Sequence, residues 1–474
     1  MGLHLPPAVA TWLTLGLIGF LYYRDIRRNR PVSKALWIPL LWLLIITTRG
    51  TSQWLDIFGL QIGPVNVEDG SPLDAVGFEL LILAGLCVLY QRRVSLSETL
   101  RNNRWMAVFM VYCFLAIFWS DFPLVAMKRW LKDMGLPIMV LVILTEENFD
   151  EALTCIMMRL AYVILPVSVL FIKYFPYLGR SFDPWTGASA NTGITVNKNT
   201  LGLDLFILGV FLFRYFLKVW QQEKSIERRN ELILIACLGY GIGWLFQMAQ
   251  SSTSLVSFLI ASTLILVLNS PRVNPRYIGT YIVAAVIFGV VAEGVFGIYS
   301  GMIQLLGKNP TLSGRTVIWQ YLLQVKINPI LGAGYESFWL GDHIKQSFWP
   351  GWAFIPNEAH NAYLDTYLNL GLAGLFFLLG WFFVIYQKAR RDLIQGLNWG
   401  RFRLAFLLAS LFYGWTEAAF RSLDPVYFVI FLISMDYPRP ELATETEPVG
   451  TEMRLLPQNR SDSMANNQTG VVIN

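Results

Sequence analysis

The sequence predicts an all-α polytopic membrane protein, and three observations carry that prediction. Of its 474 residues, 55% are hydrophobic and only 15% charged, against about 25% charged in an average soluble domain. The mean hydropathy is +0.48. Apolar runs of roughly 20 residues, the length that crosses a ~30 Å hydrocarbon core as a helix, recur from end to end. This composition excludes a soluble enzyme, a disordered chain and a small disulfide scaffold.

Spans fall near 8–23, 35–56, 73–90, 105–120, 134–145, 153–173, 199–219, 231–249, 252–269, 277–298, 361–386, 402–420 and 424–436. They predict a bundle of about 12–13 transmembrane helices, the fifth and the last being short. Basic residues set the orientation. Arg24, Arg27, Arg28, Arg30 and Lys34 fill the first loop, and Arg92, Arg93, Arg101 and Arg104 the third. Lys224, Arg228 and Arg229 fill the seventh, Arg272 and Arg276 the ninth, and Lys388, Arg390, Arg391, Arg401 and Arg403 the eleventh. All are odd-numbered loops, so they share one face, expected to be cytoplasmic. Segments 57–72, 174–198 and 299–360 then face the opposite compartment. Lys128, Arg129 and Lys132 break the pattern, and Pro123–Met134 reads as an amphipathic helix lying along the interface.

No cleavable signal peptide is expected, because Ala8–Tyr23 lacks a basic segment before it and meets arginines directly after it. Residues 1–436 read as one transmembrane domain. Residues 437–474 hold Pro438, Pro440 and Pro448 and then a polar run. They bury too little apolar surface to offset ordering entropy, and read as a disordered cytoplasmic tail. The net charge of +5 follows from the basic loops and implies no nucleic-acid partner. Cys87, Cys113, Cys155 and Cys237 lie in apolar stretches and histidines number only three, so no structural zinc site built from cysteine and histidine is expected. Gly239, Gly241 and Gly243 in the eighth span read as a helix-packing stripe of small residues.

Segment 299–360 is the anomaly, since long loops without linker composition tend to be functional. Within it, Thr316–Lys326 has apolar residues at helical spacing, and Asn328-Pro329 stops the pattern. The segment is expected to be a helical lid over the bundle. Ser313 is placed to cap that helix, with Arg315 in its first turn. A helix N-terminus and a guanidinium together suit a phosphate; the alternative is an interfacial arginine pairing with lipid headgroups. His360 opens the eleventh span in Glu358-Ala-His-Asn-Ala-Tyr-Leu-Asp365. It suits a general base, with Asn361 and Asp365 near enough to orient its ring; the alternative is a histidine bonded to a loop carbonyl.

The loop 174–198 offers Arg180, Trp185, Lys198 and Asn199 to the same compartment, although Lys198 there equally snorkels to headgroups. Glu417 and Arg421 form an i,i+4 pair near the end of the twelfth span, able to close a polar pocket or simply to pair with each other. Arg49, Glu79, Arg159 and Glu293 are further ionisable groups in or near spans, where such groups are costly.

Three stretches, taken together, resemble one family. They are Trp185-Thr-Gly187 … Gly193 … Asn197-Lys198-Asn199-Thr-Leu-Gly202; Ser313-Gly314-Arg315-Thr-Val-Ile-Trp319; and Gly332-Ala-Gly334-Tyr335-Glu-Ser-Phe338-Trp339 followed by Ala359-His360-Asn361-Ala-Tyr-Leu364. They look like the O-antigen ligase and Wzy-type polymerase superfamily, and most closely its exopolysaccharide-polymerase branch. Trp119-Ser-Asp121-Phe-Pro123 is also similar to that branch. The resemblance spans roughly residues 115–430.

It implies a GT-C-like helical bundle in the bacterial inner membrane, with its active site on the periplasmic side. It implies transfer of a glycan from an undecaprenyl-pyrophosphate-linked donor to a hydroxyl acceptor, without metal or cofactor. Its essential arginine and histidine fall on Arg315 and His360, the expected catalytic pair. Where the branch often has His-Lys-Asn, this chain has Asn197-Lys198-Asn199, so only the cation and the following amide carry over. Arg180 and Glu417 match a family arginine and an acidic residue of the penultimate span. Lys198, Arg180, Asn199, Tyr335, Glu417 and Asn361 are thus the expected substrate-binding set. Trp185, Trp339 and Trp352 suit sugar stacking or interfacial anchoring. The leading expectation is a polysaccharide polymerase, working beside other assembly and export proteins. The rivals are an O-antigen ligase acting on lipid A core, a polysaccharide or lipid transporter, and a structural scaffold.

Overall fold

A computed structural model of the chain describes residues 5–28, 30–60, 70–182, 187, 189–296, 315–340 and 356–438. Ser313, Trp185, Trp352 and the tail from 439 onward lie outside the described residues. In chain order the helices are α1 (Pro7–Arg27), α2 (Trp37–Thr47), α3 (Thr51–Ile57), α4 (Pro72–Gln91), α5 (Leu96–Asn102) and α6 (Arg104–Leu115). Next come α7 (Pro123–Asp133), α8 (Gly135–Leu144), α9 (Phe149–Tyr174), the single turn α10 (Pro176–Gly179), α11 (Lys198–Trp220) and α12 (Ile226–Ala249). The last are α13 (Ser252–Leu268), α14 (Ile278–Phe296), α15 (Arg315–Leu322), α16 (Ala362–Ile394), α17 (Asn398–Thr416) and α18 (Pro425–Ser434). A two-stranded antiparallel hairpin, β1 (Arg180–Phe182) and β2 (Ser189–Asn191), pairs Arg180 with Asn191.

The protein is a polytopic helical membrane protein, and a helix stands at each apolar stretch of the sequence. Among the described residues six helices are long and apolar enough to cross a membrane, or seven if Lys34–Thr47 and Thr51–Ile57, bent by 68°, count as one span. The others are shorter. Helices α8 and α18 have 10 residues each and rise only about 15 Å. All ten residues of α18 and every residue of α8 except the partly buried Ile138 are buried, so these short apolar segments are clad in protein rather than lipid, where an interrupted backbone can still be satisfied. Helix α7 is the amphipathic helix expected at Pro123–Met134.

One end of the bundle is locked by ion pairs. The last turn of α1 and the segment after it meet the starts of α9 and α12 and the end of α11. There Arg159 donates to Asp25 at 2.7 Å and Arg30 lies 3.1 Å from Glu151. Lys218 bridges Asp150 and Glu151 at 2.6 and 2.8 Å. Arg24 and Arg28 both reach Glu231. The basic residues that mark this face in the sequence therefore have specific acidic partners. Removing one member of a buried pair such as Asp25–Arg159 costs about 3–5 kcal/mol, because the other is left charged in a low dielectric.

The other end is organised by a break. Helix α16 has 33 residues, about 50 Å of rise, more than a ~30 Å hydrocarbon core requires. It is interrupted at Gly371, with φ 66° and ψ −167°, a region essentially reserved for glycine. The interruption frees backbone groups, and residues 329–334 fill them. Ala333 and Gly334 N–H groups donate to the carbonyls of Leu368 and Asn369 at 3.0 and 2.9 Å. In return Leu372 and Ala373 donate to Pro329 and Ile330 carbonyls at 2.9 and 3.1 Å. The Asn369 side chain accepts from Ser337 and Phe338 N–H groups. This segment is thereby fastened to α16 before the chain reaches His360. Beside it α15 buries Ile318 and Leu322 against Phe338, Ala359 and Leu368.

The glycine stripe behaves otherwise than the sequence suggested. A Cβ at Gly239, Gly241 or Gly243 would meet nothing within 4 Å, so no described helix packs on them. Residues two apart lie on nearly opposite sides of a helix, so the three could never form one contact face.

Gly371→Ala tests the break. A Cβ there is strained by φ 66° and would run into the Ile330 carbonyl, a cost of at least about 1–3 kcal/mol. Thermal unfolding of the detergent-solubilised variant should fall by several degrees, while an unchanged midpoint would contradict the interrupted helix.

Candidate active site

Four helix ends and the chain between α17 and α18 converge beyond the break. Asn197 caps α11, its Oδ1 accepting from Thr200 N–H at 2.8 Å, which sets Lys198 and Asn199 in the first turn. Asn361 caps α16, accepting from Tyr363 and Leu364 N–H groups at 3.0 Å. Its amide nitrogen donates to the Trp415 carbonyl at 3.1 Å. Helix α15 presents Arg315 and, one turn on, Trp319, whose indole donates to the Ala359 carbonyl at 2.8 Å. Helix α17 stops at Thr416, and Glu417 is extended, with φ −136° and ψ 153°.

Glu417 is the meeting point. Its Oε1 accepts from Arg315 at 2.7 Å, and the same guanidinium donates to the Thr416 carbonyl. Its Oε2 accepts from Asn199 at 3.3 Å and lies 3.7 Å from His360 Nδ1. That ring nitrogen also lies 2.8 Å from Glu358 Oε1, and the other Glu358 oxygen lies 2.7 Å from Arg421. The charges alternate along Arg315, Glu417, His360, Glu358 and Arg421. The three middle side chains are buried or nearly so, while Arg421 is the most exposed, at 42%. His360 has φ 49°, a left-handed backbone that few residues with a side chain adopt.

The surroundings set the protonation states. Burial pushes the His360 pKa down, but contact with Glu358 and Glu417 outweighs burial and raises it to about 9. Burial pushes Glu358 up, and the charge of Arg421 together with His360 reverses this, bringing it to about 2. The resting ring is therefore an imidazolium between two carboxylates. The donor atoms of Glu358, His360 and Glu417 lie within 4.8 Å of one another, a spacing that a divalent cation could use. Each carboxylate already faces a guanidinium, however, so a dication would enter a site whose negative charge is matched.

Of the residues expected from the sequence, Arg315, His360, Asn199, Glu417 and Asn361 come together here, with Lys198 beside Asn199 in the first turn of α11. Arg180 is outside these contacts; it donates to the Ile172 carbonyl at 3.0 Å. Tyr335 is buried one layer away and donates to Asp133, whose other oxygen accepts from Leu423 N–H at 3.3 Å. It thus supports the segment carrying Arg421 and does not reach the charge chain. Asn361 and Asp365 do not orient the His360 ring: the first caps α16, and the second accepts from Ala359 N–H at 3.1 Å and Trp339 Nε1 at 2.9 Å. Nor do Glu417 and Arg421 pair, because the helix that would place them one turn apart has already ended.

Glu358 and its partnership with Arg421 are what sequence reasoning missed; the signal available was a carboxylate two residues before the histidine. Arg49 is accounted for by structure, donating to the carbonyls of Leu178, Ile194 and Thr195 at 2.6–3.1 Å and pinning the loop that leads into α11.

Residues 232–379 match the model of the O-antigen ligase family, Wzy_C. That stretch contains Arg315, Glu358 and His360 but neither Asn199 nor Glu417. The exopolysaccharide production protein ExoQ of Rhizobium meliloti (strain 1021) is 26% identical over 287 residues, covering 58% of this chain and 62% of that relative. The chain is thus a polytopic membrane protein whose residues 232–379 are similar to the O-antigen ligase family, Wzy_C, and which spans less than two thirds of the exopolysaccharide production protein it distantly resembles.

Proposed function

We propose that the protein is a polysaccharide polymerase, transferring a lipid-pyrophosphate-linked oligosaccharide onto a sugar hydroxyl at the periplasmic face of a bacterial inner membrane. One observation carries the reading: Arg315 and His360 lie at opposite oxygens of Glu417, so a cation suited to diphosphate and a proton acceptor share one half-buried cluster. The relationship to an exopolysaccharide production protein favours polymerisation over transfer to lipid A core. Undecaprenyl pyrophosphate is the donor carrier that the family relationship suggests, with a second lipid-linked glycan as acceptor.

The leaving group is already good, so the site has two tasks, stabilising charge and positioning the acceptor. Arg315 leaves Glu417 for the diphosphate, to which a guanidinium can donate in a bidentate fork. Lys198 and Asn199 hold the same group from the end of α11. The acceptor oxygen attacks the anomeric carbon as its bond to phosphate breaks. The hydroxyl proton passes to Nε2 of His360, and the lipid diphosphate departs with the bonding electrons. Because Nδ1 faces two carboxylates, the ring keeps its proton there and presents Nε2 as the base, as an acid-oriented histidine does in hydrolases. We assign no metal to this step, since the two carboxylates serve the guanidinium groups and the ring.

Arg315→Ala and His360→Ala should each abolish polymer without changing protein level in the membrane, a loss of about 10²–10⁴-fold for the base. Gel analysis of glycans from cells carrying His360→Ala decides the reaction class. Single lipid-linked repeats without polymer support the polymerase. Long polymer retained on its carrier indicates a ligase, and unchanged product removes His360 from the chemistry.

The raised pKa of His360 fixes the sign of the pH dependence. Below about 9 the ring is mainly protonated and cannot accept a proton, so the rate with purified enzyme should climb with pH and level off near that value. A rate that instead falls through the same range would make His360 a cationic partner of the diphosphate. Prolonged treatment with a chelator should leave the rate unchanged, and loss restored by a divalent cation would return Glu358, His360 and Glu417 to consideration as metal ligands.

A further inference from the structure

We infer that Glu358 is the residue that positions His360, held in place for that task by Arg421. The inference rests on the transferase reading given above and names two residues that it does not require. Among the described residues His360 has two carboxylate neighbours, but they differ in what else they do. Glu417 is shared with Arg315 and Asn199 and sits 3.7 Å from Nδ1, beyond hydrogen-bonding reach. In the mechanism it loses Arg315 to the diphosphate, so its geometry changes each time donor binds. Glu358 is nearer, at 2.8 Å, and its second oxygen is taken by Arg421 at 2.7 Å. Neither of those contacts involves a group that meets the diphosphate. Glu358 is therefore the constant partner of the ring.

The anchoring continues away from the site. Arg421 lies in the connector Glu417–Asp424, and the adjacent Ser422 N–H donates to Glu336 at 3.1 Å. Leu423 N–H donates to Asp133 at 3.3 Å, and Asp133 accepts from Tyr335. The connector that carries Arg421 is thus tied to residues 335–336, themselves fastened to the break in α16. On the other flank Ala359, between Glu358 and His360, donates to Asp365 and accepts from Trp319. Both peptide groups of Ala359 are held, which fixes Glu358 and His360 on one side of an extended turn and sustains the left-handed φ of His360. The charged and titratable groups facing the ring are Glu358 and Glu417. Arg421 and Arg315 stand behind them, on the connector and on α15, and Asp365 lies below on α16.

A glutamate that positions a base changes the rate at saturation and the pH profile, leaving donor affinity alone. Glu358→Gln should keep its size and its contact with Nδ1 while losing the charge. The expected result is a fall in kcat of about 10- to 100-fold, toward the low end of what a base supplies, with donor KM within twofold. The pH midpoint of the rate should move down from about 9 toward the ordinary histidine value of about 6.5. Glu358→Asp should recover most of the wild-type midpoint. Arg421→Gln removes a distant cation but frees Glu358 from the ring, and as the nearer carboxylate contact outweighs the cation, the midpoint should again move down, by less.

A Glu358→Gln enzyme with the wild-type midpoint overturns the inference, whatever its rate, and leaves the transferase reading intact. A wild-type enzyme whose rate shows no rise attributable to His360 overturns both. If Glu358→Gln fails to reach the membrane, the midpoint of Arg421→Gln decides in its place, an unshifted value refuting the assignment.

Discussion

A membrane-embedded chain must find a partner inside itself for every polar group that it buries, and this requirement shapes both ends of the bundle. At one end it produces a set of arginine–carboxylate pairs that join α1, α9, α11 and α12. At the other it produces the exchange of hydrogen bonds across Gly371, where an interrupted helix is completed by a loop from elsewhere in the chain. The site depends on the second. Without the break, residues 329–340 would have no backbone groups to dock on, and the turn bearing Glu358 and His360 would have no fixed height above α16. Continuous α-helix in water loses little by remaining unbroken, whereas a break in lipid demands immediate compensation. The compensation here is what carries the candidate site.

The resting site is a row of five alternating charges with one more positive than negative. Under the proposed reaction, such a row would resolve a difficulty in handling a diphosphate. Free cations in a half-buried pocket would repel one another and lose their geometry, while fully neutralised ones would not attract an anion. In the proposed reaction Glu417, paired with Arg315 and within reach of Asn199, would hold the place that the diphosphate takes.

Much of this was legible in the sequence, for identifiable reasons. Spans and their basic flanks follow from hydrocarbon thickness and charge, and both are local properties. Arg315 and His360 could be named because each stands at the start of a helix beside a long polar segment, and Asn199 and Glu417 because the stretches around them resemble the family. What was not legible depended on backbone conformation that no periodicity encodes. Reading Asn361 and Asp365 as orienters of His360 assumed that the helix begins at the histidine; a left-handed residue there turns the ring toward Glu358 instead. Pairing Glu417 with Arg421 assumed one more turn of α17, and its end at Thr416 sends the two residues to different partners. Tyr335 stands next to a conspicuous glycine turn, yet its role is to brace Asp133. The glycines of α12 were misread because small residues are informative only when they share a face.

Four residues with side chains hold a left-handed backbone in the segments around the site: Glu336 at φ 49°, His360 at 49°, Phe420 at 60° and Leu423 at 59°. Each forgoes about 1–2 kcal/mol relative to a relaxed conformation. Packing offsets part of it: the Phe420 ring lies against Tyr363 and Phe382, and Leu423 rests on the main apolar core. A glycine at one of these four positions would relieve the backbone, but at Phe420 it would also forfeit the packing of a buried ring, so strain and burial pull in opposite directions there.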